Sequence, residues 1–226
     1  MDRRPAAAEL DRLARARWWE GDVPGAIRMA EQAHEVLVRD GEPVEAAERA
    51  FRICLAWAVR GDVALATAWL TRGRRLLDGQ PTGRVHGIGT YLAAAIDLDL
   101  DGDPEPAASA GRELAALSQD LDDRTLECFS LTLTGMAAVR SGDLDGFAGL
   151  DEAMIPIVGG QVDPVWAGDI YCSVIHLCEA LGDLARMRAW TDALGAWAAP
   201  LSDTFMYAAV TRVHQLQLLR AEGAWD

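Results

Sequence analysis

A Gly-Asp pair returns every 40 or 41 residues along this chain. The five copies are Gly21-Asp22, Gly61-Asp62, Gly102-Asp103, Gly142-Asp143 and Gly182-Asp183. Self-similarity at a fixed period of this length is typical of proteins built from stacked helical units. The feature therefore restricts the architecture to helical repeats, while it leaves the chemistry open, because one repeat scaffold can carry many unrelated functions.

Each Gly-Asp pair lies between two runs that have helical periodicity. In the second unit, Ala50, Ile53, Cys54 and Trp57 are spaced as on one helix face before the turn. The Gly accepts the left-handed conformation that ends one helix, and the Asp caps the next. The residue five positions after the Gly is small or apolar, so that the two helices can cross closely: Ala26, Ala66, Ala107, Phe147 and Met187.

We interpret the chain as a single helical repeat domain over 1–226. Clusters of turn residues divide this domain into successive units. The units cover roughly 6–43, 44–83, 84–123, 124–164 and 165–203, with a partial unit at 204–226. A last helix is predicted from about Tyr207 to Glu222. Because no polar capping element follows this helix, we expect the chain to be a fragment of a longer protein, whose unpaired final helix could pair with a second copy.

Composition excludes several function classes. The formal charge of −14, from 35 acidic against 21 basic residues, argues against direct nucleic-acid binding, which needs a concentrated basic face. All 21 basic residues are arginine, and the absence of lysine excludes a phosphate-binding Gly-x-x-x-x-Gly-Lys-Ser/Thr loop, a Schiff-base lysine and a kinase lysine. Half of the residues are apolar, which is enough for a substantial core.

The apolar runs and the cysteines indicate the cellular location of the protein. No stretch reaches the roughly 18 consecutive apolar residues that a membrane span needs, and no hydrophobic signal core follows Met1–Pro5. Cys54, Cys128, Cys172 and Cys178 all lie within apolar helical runs. We therefore expect a cytoplasmic protein with reduced cysteines and no membrane partner.

The repeats resemble the tetratricopeptide family, whose unit carries Gly-Asp at its internal turn and Ala five residues after that Gly. The units here exceed the usual length of about 34 residues, as in the sensor regions of bacterial LuxR-type and MalT-like transcriptional regulators. From Leu150 to Leu194 the chain is similar to the helical region of large LuxR-family regulators, on these motifs: Asp151-Glu152-Ala153-Met154, Val162-Asp163-Pro164, Ala167-Gly168, Tyr171-Cys172, Val174-Ile175, Trp190-Thr191 and Ala193-Leu194.

The resemblance implies an all-α, right-handed tetratricopeptide-like solenoid of about five and a half helical hairpins. In this family the first helix of each hairpin lines a concave groove. Registering the Gly-Asp turns places eleven candidate partner- or ligand-binding residues there: Arg52, Asp99, Thr132, Arg140, Asp169, Cys172, His176, Glu179, His214, Gln217 and Arg220. That these side chains are merely solvated stays open as the alternative.

Three functions are compatible with this groove. The first is a non-enzymatic regulatory module, part of a transcriptional regulator, that binds a protein or peptide partner without a cofactor; the acidic balance favours basic segments. The second is a small-molecule effector sensor with its pocket in the fourth to sixth units, where Asp169, His176 and Glu179 would face His214 and Gln217. The third is an enzyme using the Cys172 and His176 face, which lacks an evident oxyanion hole.

Two acidic or mixed clusters suggest metal sites, and neither pattern is complete. Asp97, Asp99 and Asp101 match the first half of a calcium loop, but Ala108 stands where a bidentate Glu is required. Cys172, His176 and Glu179, with Asp169 before them, share one helix face at i, i+4 and i+7. No second ligand pair has a recognisable zinc spacing. We therefore predict no metal site.

Overall fold

The Gly-Asp pairs end one helix and start the next, as predicted. All five glycines have φ between 70° and 91°, in the left-handed region that favours glycine. The aspartates that follow accept hydrogen bonds from backbone N–H groups a few residues later; Asp62 Oδ1, for example, accepts from the Leu65 N–H at 3.1 Å. Each pair thus supplies a helix C-terminus and the N-cap or turn that follows it.

The computed structural model describes residues 6–100, 102–200 and 206–224, and these residues contain eleven α-helices and no strand. The predicted all-α fold is confirmed. Asp101 of the calcium-like pattern, the unit boundary at 201–205 and the last two residues, 225–226, lie outside the described residues. The helices are α1 (Ala7–Trp19), α2 (Val23–Asp40), α3 (Pro43–Val59), α4 (Val63–Leu76), α5 (Arg84–Leu100), α6 (Pro104–Leu121), α7 (Arg124–Arg140), α8 (Gly146–Val158), α9 (Pro164–Leu181), α10 (Leu184–Ala198) and α11 (Met206–Ala221).

The fourth Gly-Asp turn differs from the others. Asp143 Oδ1 accepts the Asp145 N–H at 3.0 Å, and three successive i→i+3 backbone bonds follow before α8 begins at Gly146. The helix therefore starts three residues after the aspartate instead of directly after it, because the chain first forms a tighter turn. Phe147 is still buried, as are Ala26, Ala66, Ala107 and Met187 at the equivalent positions.

Most consecutive helices pack against each other, and the odd-numbered helices from α3 to α11 also contact one another. Helix α3 contacts α5, α5 contacts α7, α7 contacts α9 and α9 contacts α11, so that they form one continuous layer. This arrangement is that of a helical repeat, in which each unit packs on its neighbours. No helix among the described residues is long and apolar enough to cross a membrane.

The layer of odd-numbered helices curves strongly towards α9. Arg52 on α3 reaches Asp163 at the start of α9, and Tyr91 on α5 reaches Asp169 on α9. Because α5 and α7 lie between α3 and α9 in the layer, these contacts require it to bend. We call the surface inside this bend the inner face, and its residues include Arg52, Tyr91, Asp169 and Tyr207.

Large aromatic side chains fill the inner face. Tyr91 and Phe129 stack with ring centroids 3.8 Å apart, and Trp166 meets Phe129 edge to face at 5.6 Å. All three side chains are fully buried, and each such burial contributes about 2 to 3 kcal/mol. The inner face is therefore packed as a core and not left as an open groove along this part of its length.

A glycine allows α11 to approach α9. The Tyr207 ring lies directly over Gly168, where a Cβ would be 2.3 Å from the ring carbon Cε2. The Tyr207 hydroxyl donates a 2.8 Å hydrogen bond to the Val165 carbonyl one turn earlier on α9. Any side chain at residue 168 would thus push the two helices apart.

Candidate functional site

Five of the eleven predicted groove residues lie close together at one end of the inner face. Arg140 Nη2 on α7 is 3.8 Å from Asp99 Oδ1 on α5, and the ring of His176 on α9 is 5.0 Å from that of His214 on α11. His214 Nδ1 and Gln217 Oε1 are 2.8 Å apart. The structure thus brings together residues from four helices, in a group that includes Asp99 and Arg140 in place of the predicted Asp169 and Glu179.

His214 is the most perturbed member of this group. Its side chain is 1% exposed, and burial lowers its pKa to about 4, opposed by the Gln217 hydrogen bond and assisted by the charge of His176. Its Nε2 atom is buried and has no hydrogen-bond partner among the described residues. The ring is therefore neutral at pH 7 and forms part of the packing.

Asp169 lies deeper in the inner face than the sequence indicates. The Tyr91 hydroxyl donates a 2.7 Å hydrogen bond to its Oδ2 atom. Burial raises the pKa of Asp169 to about 6, against the Tyr91 hydrogen bond, and the negative charge of Asp99 raises it further. The carboxyl group thus faces a tyrosine from α5 instead of joining His176 and His214 in the predicted pocket.

Thr132 and Cys172 are not available as groove residues in the way predicted. Thr132 is completely buried, and its hydroxyl donates a 2.7 Å hydrogen bond to the Cys128 carbonyl of its own helix. A threonine hydroxyl inside a helix commonly bonds to the backbone carbonyl four residues earlier. Cys172 is half-buried against an apolar cluster that includes Tyr207, and burial together with Asp169 raises the pKa of its thiol well above the usual range. A thiolate nucleophile is disfavoured there.

Of the remaining predicted residues, one forms ion pairs within the chain and two are exposed to solvent. Arg52 Nη2 lies 3.0 Å from Asp163 Oδ2 and 3.5 Å from Glu48 Oε1. Glu179 and Arg220 are exposed, and their side chains form no hydrogen bond or ion pair with the residues that the structure describes. For these two, the alternative of simple solvation fits the structure.

The sequence did not indicate an apolar cavity that the structure shows next to the first helix. A cavity of about 200 Å³ lies between α1, α2 and α3 and is closed on one side by the start of α9. We call it the α1–α3 cavity. Its walls include the apolar side chains Trp18, Trp19, Ile27, Ile53 and Val165. Apolar walls of this kind with a few polar groups are typical of small-molecule sites.

Charged side chains converge on the α1–α3 cavity from two helices and one turn. Asp11 and Arg15 come from α1, Arg49 and Arg52 come from α3, and Asp163 precedes α9. Asp11 pairs with Arg49, and Asp163 pairs with Arg52. The one sequence signal for this cavity is the Trp18-Trp19 pair, in the same helix as Arg15. Nothing in the sequence indicates that residue 163 lies next to residue 52.

Asp163 holds two roles at the edge of this cavity. Its Oδ1 atom accepts the Val165 N–H at 2.9 Å as the N-cap of α9, while its Oδ2 atom accepts from Arg52. Burial raises the pKa of Asp163, but the charge of Arg52 and these hydrogen bonds outweigh burial, so that the pKa is below its ordinary value. A charged Asp163 therefore links α3 to the first turn of α9 at neutral pH.

Metal chemistry has no assembled site in the described part of the chain. No group of three or more His, Cys, Asp or Glu side chains there is placed to hold a metal ion. The four cysteines are free thiols. The cluster of Asp169, Cys172, His176 and Glu179 is divided, since Asp169 binds Tyr91 while His176 and Glu179 are exposed.

Comparisons of the chain with protein-family models, with curated proteins and with solved structures find no significant match.

Proposed function

We propose that this chain is a non-enzymatic regulatory module of tetratricopeptide-like repeats that binds a small organic effector in the α1–α3 cavity. One observation carries the proposal: the cavity has apolar walls and convergent charged groups, while Tyr91, Phe129 and Trp166 fill the inner face. Enclosed apolar pockets with a few oriented polar groups suit small ligands. The proposal keeps the sensor function that the sequence suggested, but it places the pocket in the first two units and at the junction of the fourth and fifth, instead of in units four to six.

The position of the cavity suits a regulatory output. Its walls belong to α1, α2 and α3 and to the start of α9, which is far from them in the chain. The ion pair between Arg52 and Asp163 joins these two parts. A ligand that contacts both sides stabilises the bent arrangement by its differential affinity for it. Curvature of the repeat would then report occupancy to an output domain, as the resemblance to LuxR-type and MalT-like regulators implies.

Binding of a protein or peptide partner in the groove stays a prediction, with less support. Arg52 and Asp169, which such a partner would have used, already bind Asp163 and Tyr91 within the chain. Pairing with a second copy through α11 likewise stays a prediction, as does a cytoplasmic location. Val213 and Leu216 on that helix are 53% and 66% exposed.

A thermal-shift screen tests the proposed function. Small acids, amines, neutral amides and nucleosides are added to the parent chain, to Ala30→Leu, which fills the α1–α3 cavity, and to Ala64→Leu, an exposed position on α4. A ligand at 100 times its Kd stabilises the folded state by about 2.7 kcal/mol. We expect at least one compound class to raise the Tm of the parent and of Ala64→Leu but not of Ala30→Leu. Equal shifts in all three proteins, or none, would contradict the proposal.

A further inference from the structure

We propose that the ligand of the α1–α3 cavity is a small carboxylate with a single-ring or branched apolar body, whose acid group is held by Arg15 and Arg52. This inference rests on the proposed function and specifies its ligand. It follows from the arginine donors left over at the cavity, from the composition of its walls and from its volume.

The first step concerns charge. Three arginines and two aspartates line the α1–α3 cavity, so that its charged lining has one positive charge in excess although the whole chain carries −14. Arg49 is paired with Asp11, and Arg52 with Asp163. Arg15 forms no ion pair within 4.0 Å with the described residues, and it lies close enough to Asp163 to lower the pKa of that carboxyl. Arg15 is the cation in excess.

The second step concerns the donors of Arg52. A guanidinium has five N–H donors in a planar fork that matches a carboxylate. Within the described residues, the ion pairs of Arg52 with Asp163 and Glu48 use Nη2 only. Its Nε and Nη1 groups are therefore available to a second carboxylate, which could bind beside Asp163 without displacing it.

The third step concerns the walls. Trp18, which is 8% exposed, lines the cavity together with Ile27 and Ile53, and these surfaces suit an apolar ring or branched chain. The apolar walls therefore favour a ligand whose body is a hydrophobic ring or branched chain.

The fourth step concerns size. The α1–α3 cavity has a volume of about 200 Å³. Drug-sized pockets begin at about 300 Å³. The cavity therefore suits a one-ring or branched acid better than a nucleotide or a peptide segment.

The experiment compares three probes of the same shape and different charge. Phenylacetate, phenylacetamide and 2-phenylethylamine are titrated into the full chain by calorimetry, with tryptophan fluorescence as a second readout. We expect phenylacetate to bind about ten-fold more tightly than the neutral amide, because only the carboxylate forms a hydrogen bond with arginine in which both partners are charged, and the cationic amine to bind most weakly.

Two variants locate the acid group. Arg15→Gln should reduce the affinity for phenylacetate about ten-fold and leave the amide unchanged. Arg15 is exposed and unpaired among the described residues, so the substitution breaks no ion pair there, and circular dichroism verifies the fold. Arg12→Gln, at an exposed position of the same helix outside the cavity, is the matched control and should bind phenylacetate as the parent does.

Each contrary outcome has a defined meaning. If the amide or the amine binds as tightly as phenylacetate, or if Arg15→Gln and Arg12→Gln behave alike, the carboxylate class is wrong. The cavity would still be a small-molecule site if compounds of another class stabilise the parent and not Ala30→Leu. If no probe binds and the thermal-shift screen also finds no class that depends on the cavity, both the ligand class and the proposed function are wrong.

Discussion

The hydroxyl of Tyr91 donates a 2.7 Å hydrogen bond to the carboxyl group of Asp169, which is 78 positions later in the chain. The bond joins α5 to α9 across the inner face, and Tyr91 is completely buried. A carboxyl group placed among aromatic and apolar side chains loses much of its hydration, which is why its pKa rises despite the hydrogen bond. The contact therefore makes the stability of the fold sensitive to pH.

Replacement of Asp169 should change the pH dependence of stability. The pKa of Asp169 is about 6 in the folded chain and about 3.9 when unfolded. The folded state thus holds more protons between these values, so its stability falls as pH rises from about 4 through 6. Asp169→Asn keeps an acceptor for Tyr91 and removes the charge. We expect the variant to be more stable than the parent at pH 7.5 by about 2 kcal/mol, and nearly equal at pH 4.

Urea unfolding at both pH values measures this difference. Asp192→Asn, at an exposed position on α10, is the control and should leave the pH profile of the parent unchanged. A profile of Asp169→Asn that is parallel to that of the parent would show that Asp169 does not carry the effect.

The buried His214 should lower the stability of the fold as pH falls, whereas Asp169 lowers it as pH rises. Its pKa is about 4 in the folded chain, chiefly through burial, against about 6.5 when unfolded. The unfolded state holds more protons between these values, so the contribution of a neutral His214 is full above pH 6.5 and is lost as pH falls towards 4. We expect His214→Gln to remove up to about 3 kcal/mol of the stability difference between pH 7.5 and pH 4.

The measurement is the difference in unfolding free energy between the two pH values for each protein. His176→Gln replaces the exposed ring that contacts His214 and should keep most of the slope, because burial is the larger cause of the shift. Equal slopes for the parent and His214→Gln would contradict this assignment.

The link between Arg52 and Asp163 should appear as a coupling energy. Both side chains are partly exposed, so that the pair contributes modestly; we expect a double-mutant cycle of Arg52→Gln and Asp163→Asn to give roughly 0.5 to 1 kcal/mol. Asn still offers an acceptor to the Val165 N–H and therefore preserves the helix cap. Thermal or urea unfolding gives the four values, and the coupling should shrink in 1 M salt. Strictly additive changes would mean that the pair contributes no stability.

Gly168 should tolerate no side chain. An added Cβ would lie within 2.4 Å of three ring atoms of Tyr207, so we expect Gly168→Ala to destabilise the fold by about 1 to 3 kcal/mol. Gly195→Ala is the matched control inside a helix, since its Cβ would meet only Thr211 Cγ2 at 3.5 Å. That change should be neutral or stabilise by up to about 1 kcal/mol. Thermal unfolding distinguishes them, and equal effects would refute the close approach of α11 to α9.

The cysteines should be inert in the folded chain. Burial, as the largest cause, raises the pKa of Cys54 and Cys128 to about 12 and that of Cys178 to about 11, and it raises the pKa of Cys172 further. Because the thiolate is the reactive form, we expect a maleimide or iodoacetamide reagent at pH 8 to label few of the thiols in the native protein. All four should react in urea. Rapid labelling of Cys172 in the native protein would contradict this prediction and would support the alternative of an enzyme that uses the Cys172 and His176 face.

The local elements of this fold could be predicted because their causes are local. Gly61 and Asp62 end α3 and begin α4 through a left-handed residue and a side-chain cap, and both requirements are written in adjacent residues. The period of these pairs likewise indicates the order of the helices and which of them share a layer. The register placed Asp99, Arg140, His176, His214 and Gln217 on one face of the repeat, but it did not predict that Asp99 and Arg140 would lie near the two histidines.

The curvature of the repeat was decided only in the tertiary structure. Small differences in how each unit packs on the next accumulate along the layer, and they are set by side-chain volumes such as Tyr207 over Gly168 and Phe129 between Tyr91 and Trp166. This curvature brings Asp163 to Arg52 and closes the α1–α3 cavity, and it fills the groove in which the sequence placed Thr132 and Cys172. By itself the sequence determined the helices, their turns and their layer; the accumulated bend of the packed units determined where the α1–α3 cavity forms.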